Sequence, residues 1–273
     1  MKRTMGIFLT LLLAVGVIPF MGFVASAETE GDYSYKVIGG EATITGYTGA
    51  GGNITIPATL GGYSVTAIGG RAFEYNETIT AVIIPNSVRT IEQRAFLNCE
   101  YLANITIPDS VTNIGDAAFS SCDRLARVTL PSGITSISMG MFDYCISLAN
   151  VTIPSGVTSI GDFAFSDCQK FTAINIPDSV ESIGKRAFSG CSMKNVTIPK
   201  SVTSIGDRAF GNSFGGTVIW NFKIRCYKGS AGQAYAEDRR LAYDLIDGNS
   251  TDSFVRAFEN LFQMIANLFV QRW

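Results

Sequence analysis

The protein has 273 residues, of which 47% are hydrophobic and only 16% are charged, and it contains no histidine. This length allows one large domain or two small ones, and charged residues usually make up about a quarter of a globular domain. Without histidine, the chain lacks the commonest general base, the commonest zinc ligand and every nucleophile arrangement that depends on histidine. With 21 Lys and Arg against 23 Asp and Glu, the net charge is −2, so we expect no nucleic-acid partner.

Residues 1–27 have the pattern of a secretory signal peptide. Lys2 and Arg3 precede an apolar run from Ile7 to Val24, and residues 25–27 form a cleavage site of the small-x-small type. The alternative is an N-terminal membrane anchor, which both the cleavage site and Pro19 disfavour. The sequence therefore predicts an exported protein that is secreted or associated with the cell surface.

The organising feature of the rest of the chain is a repeat of about 23 residues. Proline, phenylalanine and cysteine each recur at this spacing, with a first proline interval of 28 residues and a last one of 22. The prolines are Pro57, Pro85, Pro108, Pro131, Pro154, Pro177 and Pro199; the phenylalanines are Phe73, Phe96, Phe119, Phe142, Phe165, Phe188 and Phe210; the cysteines are Cys99, Cys122, Cys145, Cys168 and Cys191. A fixed period of this length indicates a solenoid.

One repeat explains why its copies must stack. Leu148, Val151 and Ile153 alternate with polar residues, so this segment is expected to form a short strand with one buried face. Pro154 has no N–H to donate and ends the strand, and Phe165 places a large ring in the interior. A single repeat cannot bury these side chains, so neighbouring repeats are expected to stack into a β-rich solenoid with ladders of identical residues.

The pattern Leu-x-x-Val-x-Ile-Pro-x-x-Val-x-x-Ile-Gly-x-x-Ala-Phe-x-x-Cys resembles the BspA-like class of bacterial leucine-rich repeat proteins. The resemblance covers roughly residues 50–215 and implies an N-terminal β cap over residues 28–52 and a solenoid of about seven repeats over residues 53–215. It also implies a C-terminal cap over residues 216–247, with a short helix from Ser230 to Leu241. Two departures are the long first interval and the last repeat, in which Asn212 and Ser213 replace the cysteine region.

The repeated cysteines and acids have alternative interpretations. In an exported protein the cysteines could form disulfides, but five stacked thiols with parallel side chains suit disulfide geometry poorly, and a buried thiol ladder is favoured. Cys226 lies outside this column. Asp116, Asp162 and Asp207 follow glycines but occur once per repeat, so turn residues are favoured over calcium ligands. We therefore expect no metal, no cofactor and no catalytic residue.

The outward positions of the strands form the candidate site. Two positions of each Leu-x-x-Val-x-Ile strand point away from the core, onto the side that is concave in leucine-rich repeats. The candidate ligand-binding residues are Asn104, Thr106, Arg127, Thr129, Asn150, Thr152, Asn175, Asn195 and Thr197. They form a face of amides and hydroxyls, whose simpler interpretation is that they keep an exposed parallel sheet soluble.

The C-terminal residues 248–273 have a different composition. After a polar linker, Phe254, Phe258, Leu261, Ile265 and Leu268 recur at helical spacing, which predicts an amphipathic helix over residues 254–273. Charges and amides within it disfavour a transmembrane span. The alternatives are docking or self-association through the helix, or attachment to a membrane or cell envelope.

These features together predict a non-enzymatic, exported leucine-rich repeat binding module. The family resemblance implies cell-surface adhesion or recognition of an extracellular protein or glycan through the concave sheet face, because named members are adhesins. One alternative is a structural protein that oligomerises through the C-terminal helix. A carbohydrate-active enzyme is the weaker alternative, because single acids scattered along a stack provide no pair of convergent carboxylates.

Overall fold

The computed structural model describes residues 27–212, 217, 219 and 221–247. The signal peptide predicted over residues 1–27 falls outside these residues except for Ala27, and the predicted tail over residues 248–273 falls outside them entirely. The described chain is a β-solenoid, as the 23-residue period predicts, and it has about nine turns where the repeated residues predicted about seven.

The first strands form an antiparallel start to the solenoid. β1 (Glu28–Glu30), β2 (Tyr33–Ile38) and β3 (Glu41–Tyr47) pair antiparallel in sequence order. Gly39 and Gly40 join β2 to β3, and both have positive φ, as a tight two-residue hairpin requires. β3 then pairs in parallel with β6 (Tyr63–Ile68), which also forms a hairpin with β5 (Thr59–Leu60). β3 therefore joins the antiparallel hairpin to the parallel stack.

Two series of parallel strands run along the solenoid, one on each side of the repeated proline. The longer strands are β4 (Gly52–Thr55), β7 (Ile79–Ile83), β9 (Asn104–Thr106), β11 (Arg127–Thr129), β13 (Asn150–Thr152), β16 (Asn195–Thr197), β18 (Lys223–Cys226) and β19 (Ala242–Leu245). The shorter strands that follow β6 are β8 (Thr90–Ile91), β10 (Asn113–Ile114), β12 (Ser136–Ile137), β14 (Ser159–Ile160), β15 (Ser182–Ile183) and β17 (Ser204–Ile205). We call the outward side of the longer strands the long-strand face.

The third side of each coil contains left-handed residues. Ala117 and Ser121, for example, have φ of 53° and 56°, and their N–H groups donate to carbonyls of the next coil, as does the N–H of Phe119 between them. In equivalent coils Gly140 and Gly190 occupy such positions, where the absence of a Cβ removes the steric cost. The N–H groups of these residues point along the stack, so successive coils are hydrogen-bonded to one another on this side without regular strands.

The core is a ladder of phenylalanine rings. The seven repeated rings from Phe73 to Phe210 are buried, and successive centroids lie 4.8–5.6 Å apart with nearly parallel planes. Tyr47 packs against the first ring in a tilted arrangement at 5.5 Å, and Tyr235 contacts the last ring edge-on at 6.2 Å. The sequence-based expectation of stacked identical residues is therefore confirmed.

One coil departs from the predicted strand pattern. We expected a strand around Ala173 and Asn175, but residues 171–177 have no regular strand, so β13 and β16 lack a strand partner on their facing sides. Phe171 replaces the usual leucine, and its ring stacks on Phe165 at 5.4 Å. The next coil is one residue shorter, as the 22-residue proline interval shows. A larger core side chain and a shortened neighbour together account for the lost strand register.

The C-terminal residues both continue and close the solenoid. β18 and β19, which lie within the predicted cap over residues 216–247, extend the longer strands in parallel beyond β16. Helix α1 (Ala231–Asp238) lies within the range 230–241 predicted for it and is N-capped by Ser230. The Tyr235 hydroxyl accepts a hydrogen bond from Phe210 N at 2.9 Å and donates to Phe210 O at 3.1 Å. In inner coils a carbonyl of the next coil accepts the hydrogen bond from the equivalent phenylalanine N–H. At the last turn the Tyr235 hydroxyl takes the place of that carbonyl.

Candidate binding face

All nine predicted site residues have exposed side chains on the long-strand face. Eight of them lie on β9, β11, β13 and β16, where exposed residues flank a buried one. The buried central residues are Ile105, Val128, Val151 and Val196. Asn175 is also exposed, but it lies in the coil that lacks a strand. The alternation of the sequence therefore places the candidate side chains outward, as strand geometry requires.

The parallel register aligns these residues into two columns. Arg127 lies beside Asn150, and Thr129 lies beside Thr152. Neighbouring strands lie about 4.8 Å apart, so side chains in one column can contact the same extended ligand. The columns have two interruptions, because β9 does not pair with β11 and residues 171–177 separate β13 from β16. The structure thus brings together neighbouring pairs of candidates and leaves the full set in three segments.

Sequence reasoning missed the residues that continue these columns toward the C-terminus. Lys223 on β18 is in register with Asn195, and Arg225 is in register with Thr197. Both side chains are exposed, whereas Ile224 between them is buried. The signal was present in the alternating segment that precedes Cys226, but Arg225 comes 28 residues after Thr197, outside the regular period.

The repeated acidic residues act as turn residues. One carboxylate oxygen of Asp162 accepts a hydrogen bond from Lys185 N at 2.7 Å, and one of Asp116 accepts from Met139 N at 3.2 Å. Asp207 instead pairs with Arg239 at 2.9 Å. Within the described residues, no group of three or more His, Cys, Asp or Glu is placed to hold a metal ion. These carboxylates therefore link successive coils or fix the C-terminal helix.

One acid lies in an unfavourable environment on the side that carries the left-handed residues. Asp143 occupies the position that serine fills in neighbouring repeats, at Ser120 and Ser166, and both serines are buried. Its Oδ1 is buried and has no hydrogen-bond partner within the described chain. Burial, together with the charge of nearby Asp167, raises the pKa of the Asp143 carboxyl group to about 6, although a hydrogen bond from Ser166 opposes this shift.

The cysteine column is a ladder of buried free thiols. All five side chains are buried, and each Sγ donates a hydrogen bond to the main-chain oxygen of the phenylalanine in the preceding coil, with distances of 3.0–3.3 Å. Burial raises the pKa of Cys99 to about 12 and also raises the pKa of the other four thiols. The favoured interpretation as a buried ladder therefore matches the structure, in which burial disfavours the thiolate form of these cysteines.

We expect these five thiols to resist modification in the folded protein. Because the thiolate is the reactive form, burial and a raised pKa should suppress reaction with a thiol reagent such as dithionitrobenzoate at pH 8. The measurement is the number of thiols that react in buffer, with a sample in concentrated urea as the control, in which these five and Cys226, six thiols in all, become accessible. Reaction of the native column thiols at the rate of free cysteine would contradict the buried ladder.

The predicted amphipathic helix over residues 254–273 lies outside the described residues, so its role stays a prediction. Within the described ranges, none of the helical structure has the length and apolar character needed to cross a bilayer.

The stacked parallel strands, the 23-residue period and the phenylalanine ladder define a leucine-rich repeat solenoid. The family model described as BspA type Leucine rich repeat region matches residues 66–180 and 158–223, with six copies. Because these matches cover more than half of the chain, the protein belongs to the BspA-type leucine-rich repeat family. This confirms the resemblance inferred from the repeated residues.

Solved structures show the same fold. The chain is 37% identical to a leucine-rich cell surface protein from Faecalibacterium prausnitzii, with a TM-score of 0.64; the match covers 74% of this chain and 54% of that protein. It is 25% identical to a leucine-rich repeat protein from T. pallidum, with a TM-score of 0.59 and coverage of 80% and 97% respectively. This chain therefore spans about half of the F. prausnitzii protein. Comparison with curated proteins gave no match.

Proposed function

We propose that the protein is a non-enzymatic binding module, secreted or held at the cell surface, which recognises an extracellular protein or glycan through the long-strand face and so mediates adhesion. The observation that carries this proposal is the two exposed columns of asparagine and threonine, aligned by the parallel register of the strands. The cell-surface name of the F. prausnitzii relative supports the location.

The mechanism follows from the geometry of a repeated surface. Each exposed amide or hydroxyl offers a hydrogen bond of modest net free energy, and the rigid stack holds many such groups at a fixed spacing. A ligand that spans several coils loses its translational and rotational freedom once on binding, and it gains contacts from each coil. Recognition would therefore depend on an extended surface.

A pair of substitutions in adjacent coils tests the proposed face. In Thr129→Glu/Thr152→Glu, two bulky charges replace small neutral groups on strands that lie side by side. We expect binding to matrix proteins or glycans on an array to fall about fivefold or more, because each new carboxylate must be desolvated against the ligand. Because both positions are exposed the fold should be retained, with a small loss of stability from the two adjacent carboxylates, which the matched control shares.

The matched control is Thr112→Glu/Thr135→Glu, which makes the same chemical change at two exposed threonines on the segment that leads into the shorter strands. Thermal unfolding of both double variants verifies that the fold is intact. If the control variant lost binding while the Thr129 and Thr152 variant kept it, the long-strand face would not be the binding surface.

A further inference from the structure

We propose that the C-terminal end of the long-strand face binds an anionic polysaccharide, with its cations holding carboxylate or sulfate groups of the sugar chain. This inference rests on the proposed function, because it assigns a ligand class to the same face. The surface concerned, which we call the cationic patch, consists of Lys194, Lys200, Lys223, Arg225 and Lys228, and all five side chains are exposed.

The cationic patch is assembled by two adjacent parallel strands. Lys223 and Arg225 are outward neighbours on β18, in register with Asn195 and Thr197 of β16. Lys194 immediately precedes β16, and its main-chain oxygen accepts a hydrogen bond from Lys223 N at 3.0 Å. Strand spacing of about 4.8 Å and outward residue spacing of about 7 Å bring these charges within reach of one extended ligand.

The charges of the patch are incompletely neutralised by the protein. Lys223 pairs with Asp244 at 3.1 Å, with both side chains about half exposed, and Lys200 lies over the ring of Tyr227 at 5.6 Å. Among the described residues, Arg225 and Lys200 have no carboxylate within ion-pair distance. A bound anion would therefore gain free cationic partners without displacing a buried ion pair.

Charge is unevenly distributed along the chain, and this asymmetry favours an anionic partner. Residues 28–190 contain 16 acidic and 9 basic residues, whereas residues 191–247 contain 5 acidic and 8 basic residues. The net charges of these segments are −7 and +3. A polyanion would be attracted to the C-terminal end and repelled by the rest of the solenoid, which fixes where on the long face it binds.

The surroundings of the patch favour a polysaccharide over an acidic peptide. Asn195 and Thr197 on β16 lie directly beside Lys223 and Arg225, and these neutral groups can hydrogen-bond the hydroxyls that a sugar chain presents. Peptide recognition usually relies on a free strand edge or an apolar anchor pocket. Among the described residues that lie on the longer strands, Ile83 on β7, toward the N-terminal end of the stack, is the large apolar side chain that is exposed, and Ile246 is exposed just after β19.

The test compares binding of heparin, as a sulfated polysaccharide probe, with binding of neutral dextran, measured by calorimetry on the purified full chain. We expect heparin to bind with an affinity that falls steeply as salt is raised, and dextran not to bind. In Lys200→Gln/Arg225→Gln the heparin affinity should fall about tenfold and the salt dependence should become shallower. The matched control, Arg94→Gln/Lys185→Gln, removes two exposed cations outside the patch and should bind as the parent protein does.

Four results would overturn the inference. The first is that heparin does not bind, and the second is that it binds equally to the parent protein and to both double variants. Equal and equally patch-dependent binding of polyglutamate, or of phosphatidylglycerol vesicles, would show that the cations do not select a sugar chain. Array binding lost in Thr129→Glu/Thr152→Glu but kept in Lys200→Gln/Arg225→Gln would refute the cationic patch while leaving the proposed binding function intact.

Discussion

Replacing Phe142 by alanine is expected to destabilise the protein by about 3–5 kcal/mol. The Phe142 ring is fully buried and lies between the rings of Phe119 and Phe165, at 5.6 Å and 5.5 Å. Its removal would open a cavity bordered by both neighbouring coils, and the rigid coil spacing prevents the stack from collapsing into it. The measurement is the midpoint of unfolding in urea, followed by circular dichroism. An unchanged m-value would show that the shift in the midpoint reports a change in stability.

Two further variants make this result interpretable. Phe142→Leu keeps a large apolar side chain and should cost less, so a value is measurable even if the alanine variant does not fold. Tyr144→Ala, in the same coil, truncates an aromatic residue that is 45% exposed and should cost well under about 1 kcal/mol. Equal losses for Phe142→Ala and Tyr144→Ala would contradict the placement of the Phe142 ring in the core of the stack.

Replacing Asp143 by serine is expected to stabilise the protein at pH 7 by about 1–2 kcal/mol. Folding raises the pKa of this carboxyl group to about 6 from its ordinary value of 3.8, chiefly because burial disfavours the charged form. The folded state therefore holds its proton more tightly than the unfolded state, and stability falls as the pH rises from about 4 to about 6. The expected gain in stability is smaller than the full pKa shift corresponds to, because solvent screens the charge of the half-buried Asp143 side chain.

Serine is the natural replacement, since Ser120 and Ser166 occupy the equivalent position in the neighbouring coils. The gain in unfolding free energy should appear at pH 7 and disappear near pH 3.5, where the carboxyl group is protonated in both states. Asp178→Ser, at an exposed position, serves as the control and should change the free energy of unfolding very little at either pH. A gain for Asp143→Ser that does not change with pH would show that the charge is not its cause.

The fold was largely predictable because its main determinant is periodic. A proline, a phenylalanine and a cysteine that recur together can satisfy one packing arrangement only if every copy occupies the same place in a coil. The burial of residues such as Val128 and Val151 then follows from the alternation of inward and outward positions along a strand. The family match over residues 66–223 agrees with that reasoning.

The details that were missed depend on local departures from the period. The lost strand around Asn175 reflects the bulk of Phe171 and a one-residue deletion in the next coil, and neither changes the apolar pattern itself. β18 and β19 lie beyond the last repeated proline, so the spacing no longer marks them as coils. For the same reason Lys223 and Arg225 were not recognised as part of the candidate site. The exposure of the nine predicted residues follows from strand alternation. The identity of a ligand does not follow from that alternation.

The thiol–carbonyl hydrogen bonds have a consequence for how such a protein changes in evolution. Each cysteine bonds only to the coil immediately before it, as Cys145 bonds to Phe119 O and Cys168 to Phe142 O. Every inner coil thus presents the same donor and the same acceptor to its neighbours. Duplication or loss of one coding segment would change the reach of the molecule while creating no interface that is not already present. The number of coils is therefore free to vary, provided that both ends remain covered.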